Sequence, residues 1–139
     1  KFRIYTMAWN SKYIFRGEVM KKILAIDDEQ DILNLLHDIL REEYIVYQAR
    51  NVREALVLLE KTEVDLILLD IMMPQIDGWD FLWMLKGSEK FKNIPVIILT
   101  ARADAENKLI GLKEGVKHYI VKPFLPNELI DKIKEVLGD

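Results

Sequence analysis

Apolar and amphipathic segments alternate along the chain from residue 21 onward. Short, almost continuous apolar runs have the length of strands, and each is followed by a segment whose apolar residues recur at helical spacing. The predicted strands span residues 23–26, 44–48, 64–69, 96–99 and 119–121. The predicted helices span residues 30–42, a segment that starts after Asn51, 78–86, 104–114, and a segment from Pro126 to Gly138. The pattern therefore predicts five consecutive strand–helix units.

Residues at the ends of these segments support the assignment. Asn51 is followed three positions later by Glu54, which is the spacing of a capping box. Gly115 follows the predicted fourth helix, and glycine is the usual residue just past a helix end. Pro126 stands where the first turn of a helix accepts proline. These local features favour helices over further strands in the amphipathic segments.

The first, third and fourth strands are apolar at almost every position, which is typical of a parallel sheet covered on both faces. Crossover connections between parallel strands are right-handed, which restricts the topology. We therefore predict an α/β fold, (βα)5, in which a doubly wound parallel sheet of five strands carries helices on both sides.

Composition narrows the class of protein. The 139 residues suit one domain, and the absence of Cys excludes disulfides and thiolate metal sites. No apolar run has the length of a membrane span, and no secretory leader is visible, so we expect a cytoplasmic protein. Residues 1–19 carry a net charge of +3 and residues 20–139 a net charge of −6, given the total of −3. The acidic part argues against direct binding of nucleic acid by residues 20–139.

Polar side chains follow the strands at the point where each strand ends. Asp27 and Asp28 follow the first strand, Asp70 follows the third, Thr100 the fourth and Lys122 the fifth. In open α/β sheets, ligands bind outside the carboxyl ends of the strands. We therefore expect these residues, although distant in sequence, to lie close together at one edge of the sheet.

This set of residues has a consistent chemistry. Neighbouring carboxylates repel one another, and Mg²⁺ removes that cost because it prefers carboxylate and carbonyl oxygens. Lys122 adds a positive charge and Thr100 a hydroxyl group. Together these groups suit a dianionic phosphoryl group, with Asp70 as a nucleophile that forms an acyl phosphate.

The sequence resembles the receiver domain of two-component response regulators. The stretches that carry the resemblance are KKILAIDDEQ, DLILLDIMMPQIDGWDFL, PVIILTARADAE and HYIVKPF, and the resemblance covers residues 21–137. It implies a flavodoxin-like strand order of 2-1-3-4-5, with a crevice between the first and third strands.

The resemblance also implies roles for single residues. Asp70 would accept the phosphoryl group, and Asp28 and Asp70 would ligate Mg²⁺ directly. Asp27 would bind the ion through water, and the backbone carbonyl of Met72 would be a further ligand.

Three more residues match the family's switch. Lys122 would pair with the phosphoryl oxygens, and Thr100 would move to hydrogen-bond them. Tyr119 matches the aromatic residue that turns inward when Thr100 moves. Phosphorylation would then change the surface formed by the fourth helix, fifth strand and fifth helix.

The implied partners are a histidine kinase or a histidine phosphotransfer protein, and a downstream effector protein or a fused output domain. The sequence does not decide whether phosphorylation also produces a homodimer. Regulators of the winged-helix class use acidic residues just before the switch aromatic in such a dimer, whereas Lys117 and His118 stand there in this chain.

Two other functions are alternatives, an aspartyl-phosphate hydrolase and a flavin carrier on the same fold. An aspartyl-phosphate hydrolase of the haloacid dehalogenase type needs a second Asp two residues after the nucleophile, and Met72 occupies that position. A flavodoxin-like module needs a phosphate loop after the first strand, where Asp27 and Asp28 would repel the ligand. We therefore predict a signalling protein and not an enzyme.

Residues 1–19 do not fit the strand–helix pattern, and we predict an N-terminal extension that precedes a receiver domain at residues 20–139. One hypothesis is a genuine tail with aromatic anchors at Trp9, Tyr13 and Phe15. The other, which we favour, is that translation starts at Met20, because Gly17, Glu18 and Val19 can be encoded by bases that contain a ribosome-binding GAGGT.

Overall fold

The computed structural model describes residues 6–7, 13–15, 18–73, 78–101, 108, 110–111 and 113–139. Its main feature is a five-stranded sheet made of β4 (Lys22–Ile26), β5 (Ile45–Ala49), β6 (Leu66–Leu69), β7 (Val96–Thr100) and β8 (His118–Val121). All neighbours in this sheet are parallel, and their order is β5-β4-β6-β7-β8. Counted along the sheet's own strands, this order is 2-1-3-4-5, which confirms the predicted fold.

Helices cover both faces of the sheet. They are α1 (Gln30–Leu40), α2 (Val52–Lys61), α3 (Gly78–Lys86) and a last helix at Pro126–Leu137. Alternate residues of the strands face opposite sides, so that Ile23 and Ala25 pack with α1 and the last helix, whereas Leu24 and Ile26 pack with α2 and α3. The two faces therefore have separate cores, as a doubly wound sheet requires.

The predicted fourth helix, 104–114, lies largely outside the described residues. Residues 108, 110, 111 and 113 within it are helical. Gly115 follows with a φ of +81°, a left-handed conformation that glycine adopts without strain. The predicted helix end at Gly115 is therefore confirmed.

Other predicted boundaries differ by one or two residues. The sequence pattern places Tyr44 in the second strand. In the structure its N–H donates to Leu40 O at 2.9 Å and closes the turn after α1, and β5 begins one residue later, at Ile45. Asn51 caps α2 as predicted and accepts a hydrogen bond from the N–H of Glu54 at 2.8 Å. The Glu54 carboxylate returns to the N–H of Arg50 at 2.9 Å instead of that of Asn51, so the capping box is shifted by one residue.

The N-terminal segment contains three short strands that the sequence pattern did not predict. β1 (Thr6–Met7), β2 (Tyr13–Phe15) and β3 (Glu18–Val19) form a separate antiparallel sheet in that order. Strands of two or three residues are too short to show a period of two, which explains why the pattern missed them. The division of the chain near residue 20 into an extension and a domain stays a prediction.

Within the part of the chain that the structure describes, every helix is too short or too polar to cross a bilayer.

Candidate functional site

The predicted site residues follow neighbouring strands at the carboxyl edge of the sheet. Ile26 of β4 is level with Leu69 of β6, and Asp27 and Asp70 are the next residues on each strand. The N–H of Asp70 donates to Ile26 O at 3.0 Å, which holds the two strand ends together. On the other side of β6, β7 ends at Thr100, which is fully buried.

Lys122 connects the two central carboxylates. It follows β8, and its N–H donates to Thr100 O at 2.8 Å, so the backbone of the last two strands aims the side chain along the edge. The Nζ atom lies 2.5 Å from Asp27 Oδ2 and 3.2 Å from Asp70 Oδ2. Asp27 is 2% exposed and Asp70 is 4% exposed, so this ion pair is screened only weakly by water.

The second oxygen of each buried carboxylate is also bonded. Asp27 Oδ1 accepts a hydrogen bond from the N–H of Glu29 at 2.9 Å. Asp70 Oδ1 accepts one from the N–H of Met72 at 2.9 Å. Backbone donors on the following loops therefore fix the orientation of both carboxyl groups, as expected for buried polar atoms.

The ion pair does not fully offset the burial of these charges. Burial raises the pKa of the Asp27 carboxyl, although hydrogen bonds from Lys122 and the N–H of Glu29 and the charge of Lys122 act in the opposite direction. Burial alone would lower the pKa of the Lys122 ammonium group, but the hydrogen bonds and charges of Asp27 and Asp70 outweigh it and raise the pKa. The site thus holds more negative charge than one lysine neutralises.

A third carboxylate completes an arrangement that suits a divalent cation. Asp27, Asp28 and Asp70 each offer one oxygen, and these three oxygens lie within 4.8 Å of one another. Asp28 is half-buried, which leaves the group open to solvent on one side. Mg²⁺ prefers such hard oxygen ligands and retains several waters, so the residues fit this ion.

Two further predicted residues are Tyr119 and Met72. Tyr119 is half-buried on β8 and is level with Ile98, two residues before the strand ends. Met72 is 50% exposed just after Asp70. The segment that links Thr100 to the predicted fourth helix lies outside the described residues from 102 to 107.

Sequence reasoning missed the close approach of Gly78 to the site. A Cβ atom on Gly78 would lie 2.9 Å from the Asp70 carbonyl oxygen and 2.3 Å from Ile71 Cα. The N–H of Gly78 donates to Ile71 O at 3.2 Å. The sequence pattern predicts only that a helix starts at Gly78, whereas the fold shows that this residue packs on the backbone of Asp70 and Ile71.

The chain is an α/β domain with a doubly wound sheet, and the carboxyl edge of the sheet, where such folds bind ligands, carries three carboxylates, a lysine and a buried threonine. The model of the response regulator receiver domain family matches residues 23–134. The chain therefore belongs to the receiver domain family of two-component response regulators.

Curated relatives are transcriptional regulators. The phosphate regulon transcriptional regulatory protein PhoB of Pseudomonas aeruginosa is 39% identical over 120 residues, which cover 86% of this chain and 52% of PhoB. The transcriptional regulatory protein ResD of Bacillus subtilis is 42% identical over 117 residues, which cover 84% of this chain and 48% of ResD. The chain thus spans about half the length of the curated relatives it matches.

Solved structures of single receivers match over nearly their whole length. The chemotaxis protein CheY4 of Vibrio cholerae superimposes with a TM-score of 0.79 at 33% identity, covering 85% of this chain and 99% of CheY4. The receiver domain protein from Methanospirillum hungatei gives a TM-score of 0.78 at 34% identity, covering 86% of this chain and 94% of that protein. The fold of this chain is therefore that of CheY-like receivers.

Proposed function

We propose that the chain is a phosphorylation switch in which Asp70 accepts a phosphoryl group in a reaction that requires Mg²⁺. The observation that carries the proposal is the position of Lys122 Nζ, within 3.2 Å of carboxylate oxygens of both Asp27 and Asp70. A buried ammonium group beside a buried nucleophile favours the arrival of a dianionic phosphoryl group.

Asp70 is the nucleophile in this proposal. One of its carboxylate oxygens attacks the phosphorus atom of a phosphohistidine, and the P–N bond to the donor imidazole breaks as the O–P bond forms. The imidazole leaves with the electron pair and takes a proton from water. The hydrogen bond from the N–H of Met72 to Asp70 Oδ1 holds the carboxylate in one orientation for this attack.

Other residues bind the transferred group. Lys122 exchanges its contact with Asp70 Oδ2 for the phosphoryl oxygens, and the Thr100 hydroxyl donates a further hydrogen bond to them. Asp28, Asp70 and the carbonyl of Met72 would hold Mg²⁺ directly, and Asp27 would hold it through water. The ion would supply positive charge that offsets the carboxylates and the phosphoryl group.

The phosphoryl group stays on the protein in this proposal, so the chain acts as a switch and not as an enzyme with turnover. Its donor is a histidine kinase or a histidine phosphotransfer protein. The buried hydroxyl of Thr100 and the ring of Tyr119 pass the change to the surface formed by the predicted fourth helix, β8 and the last helix. An effector protein or a fused output domain binds that surface.

The test uses the full chain with Mg²⁺ and acetyl phosphate. We expect the intact mass to increase by one phosphoryl group, and we expect no increase in Asp70→Asn or after chelation of Mg²⁺. Asp131→Asn is the matched control, since Asp131 lies exposed on the last helix away from the site. Phosphorylation that persists in Asp70→Asn, or wild type that stays unmodified with Mg²⁺, would contradict the proposal.

A further inference from the structure

The backbone of Asp70 touches the start of α3 directly. Ile71 Cα lies 2.3 Å and the Asp70 carbonyl oxygen 2.9 Å from the position a Cβ atom on Gly78 would take, so the two backbone segments are in contact. The hydrogen bond from the N–H of Gly78 to Ile71 O fixes their separation at 3.2 Å. Because backbone packs closely on backbone here, we expect movement of the Asp70 backbone to move the first residues of α3.

Trp79, the next residue, extends this contact away from the site. Its side chain is only 7% exposed and belongs to the core that contains Ile71 and Val116. At the other end of the indole, Cη2 lies 3.3 Å from the position that a Cβ atom on Gly111 would take. The indole therefore reaches from α3 to the helical residues around Gly111.

Tyr119 borders the same point from the other side. Its Cδ2 atom lies 3.4 Å from the same position on Gly111, and Val116 Cγ2 lies 3.2 Å from it. Tyr119 also packs against the core cluster that contains Trp79. Two aromatic rings thus contact the same position on Gly111, one from the residue that follows Gly78 on α3 and the other from β8.

We propose that Trp79 is a positioning residue of the switch, which couples the backbone at Asp70 to Tyr119 through the contact of both rings with Gly111. This inference rests on the phosphoacceptor function proposed above and adds a route to Tyr119 that does not pass through Thr100. Close packing makes the route effective, since a densely packed core shifts between discrete arrangements instead of yielding gradually.

The first test uses the reciprocity of coupled sites. If Gly111 and Asp70 are coupled, a change at Gly111 must alter the affinity of Asp70 for a phosphoryl analogue. Beryllofluoride with Mg²⁺ is titrated into wild type, Gly111→Ala and Gly87→Ala. The last variant is the matched control, because a Cβ atom there would meet only backbone oxygens at 3.4 Å and 3.8 Å. We expect Gly111→Ala to change the affinity by about fivefold, and Gly87→Ala to leave it within about twofold.

A double-mutant cycle assigns the coupling to Trp79. Trp79→Phe shortens the ring and removes Cη2, so the effect of Gly111→Ala on the affinity should disappear in that background. Trp83→Phe is the control, since Trp83 lies on the same helix but is 48% exposed. An affinity effect of Gly111→Ala that persists in Trp79→Phe, or no effect in wild type, would overturn the inference.

Fluorine NMR of the chain labelled with fluorotryptophan provides a readout that needs no change at Trp79. The chain has three tryptophans, and Trp9→Phe and Trp83→Phe identify the other two resonances. We expect both beryllofluoride and Gly111→Ala to shift the Trp79 resonance. A Trp79 resonance that stays in place while beryllofluoride binds would overturn this inference alone, whereas wild type that binds no beryllofluoride would overturn the proposed function.

Discussion

Asp27 carries a carboxylate whose burial its hydrogen bonds and ion pair offset only in part. It is buried, and burial raises the pKa of its carboxyl in spite of an ammonium group 2.5 Å away. A raised native pKa means that the folded chain binds the proton more tightly than the unfolded chain. Stability contributed by this group is therefore present at low pH and is lost as the pH rises through the native pKa.

We predict that Asp27→Asn stabilises the chain at pH 7 in the absence of Mg²⁺. Lys122 pairs with two buried carboxylates, those of Asp27 and Asp70, and the substitution removes one of these two negative charges. The free energy of unfolding should therefore increase by about 1 kcal/mol. Urea unfolding measures the difference, and Asp131→Asn, on the exposed side of the last helix, should leave stability within about 0.5 kcal/mol. A lower stability of Asp27→Asn without Mg²⁺ would show that the ion pair with Lys122 outweighs the burial.

The variant Asp27→Asn also tests the effect of Mg²⁺ on stability. Mg²⁺ that binds the folded site stabilises it by mass action. Wild type should therefore gain stability with Mg²⁺, and Asp27→Asn should gain less, because an amide offers a neutral oxygen in place of a carboxylate. Equal stabilisation of both proteins would mean that Asp27 takes no part in metal binding.

At the scale of elements, the sequence predicts those features that the local pattern of apolar and polar residues determines. The five central strands have apolar runs of their own, and the right-handed rule for crossovers brings Asp27, Asp70 and Lys122 to one edge without coordinates. Tyr44 shows the limit of this reasoning, because its apolar ring looked like the start of a strand and instead closes the turn after α1. Gly78 shows a second limit, since contact between two backbone segments leaves no trace in hydrophobic periodicity.

We predict that Gly78→Ala is strongly destabilising because backbone atoms cannot move aside as side chains do. A Cβ atom 2.3 Å from Ile71 Cα would force the loop after Asp70 away from α3, at a cost of at least about 2 kcal/mol. Thermal unfolding measures the loss. Gly87→Ala at the other end of α3 should change stability by less than about 0.5 kcal/mol. Similar effects of the two substitutions would contradict the observed contact.

The opposite end of the sheet is closed by a hydrogen-bonded cluster around Asp139. The Tyr44 hydroxyl donates to Asp139 Oδ2 at 2.9 Å, and Lys21 Nζ lies 3.0 Å from Asp139 Oδ1. Burial and the adjacent carboxylates of Asp139 and Glu43 raise the pKa of the Tyr44 phenol. The phenol must therefore stay protonated for this cluster to persist.

We predict a loss of stability at alkaline pH that Tyr44→Phe removes. The native pKa of Tyr44 exceeds its unfolded value of about 10, so the contribution of the hydroxyl is complete below that pH and is lost as the pH rises further. Tyr44→Phe should cost about 1 kcal/mol at pH 7 and less above pH 10. Urea unfolding at both pH values measures the difference, with Tyr47→Phe as the control on β5. A penalty that is independent of pH would refute the assignment.

At the scale of the whole molecule, two clusters of charged side chains lie at opposite ends of one sheet, the candidate site at one end and the contacts of Asp139 at the other. The carboxyl edge holds Asp27, Asp70 and Lys122, whereas Lys21, Tyr44 and Asp139 lie at the amino edge, where β4 and β5 begin. If Asp70 accepts a phosphoryl group as proposed, this separation would allow the carboxyl edge to rearrange while the amino edge keeps the strands in register.

The N-terminal strands form a sheet of their own and belong to neither edge of the central sheet. This arrangement leads to a prediction for a chain that starts at Met20. Among the described residues, β1, β2 and β3 pair only with one another, and the five central strands form a complete sheet without them. Met20 itself is 6% exposed, and the shortened chain retains this residue. A protein of residues 20–139 should therefore unfold cooperatively and bind beryllofluoride with Mg²⁺ as the full chain does. Loss of either property would show that the small sheet, and not only the central one, supports the site.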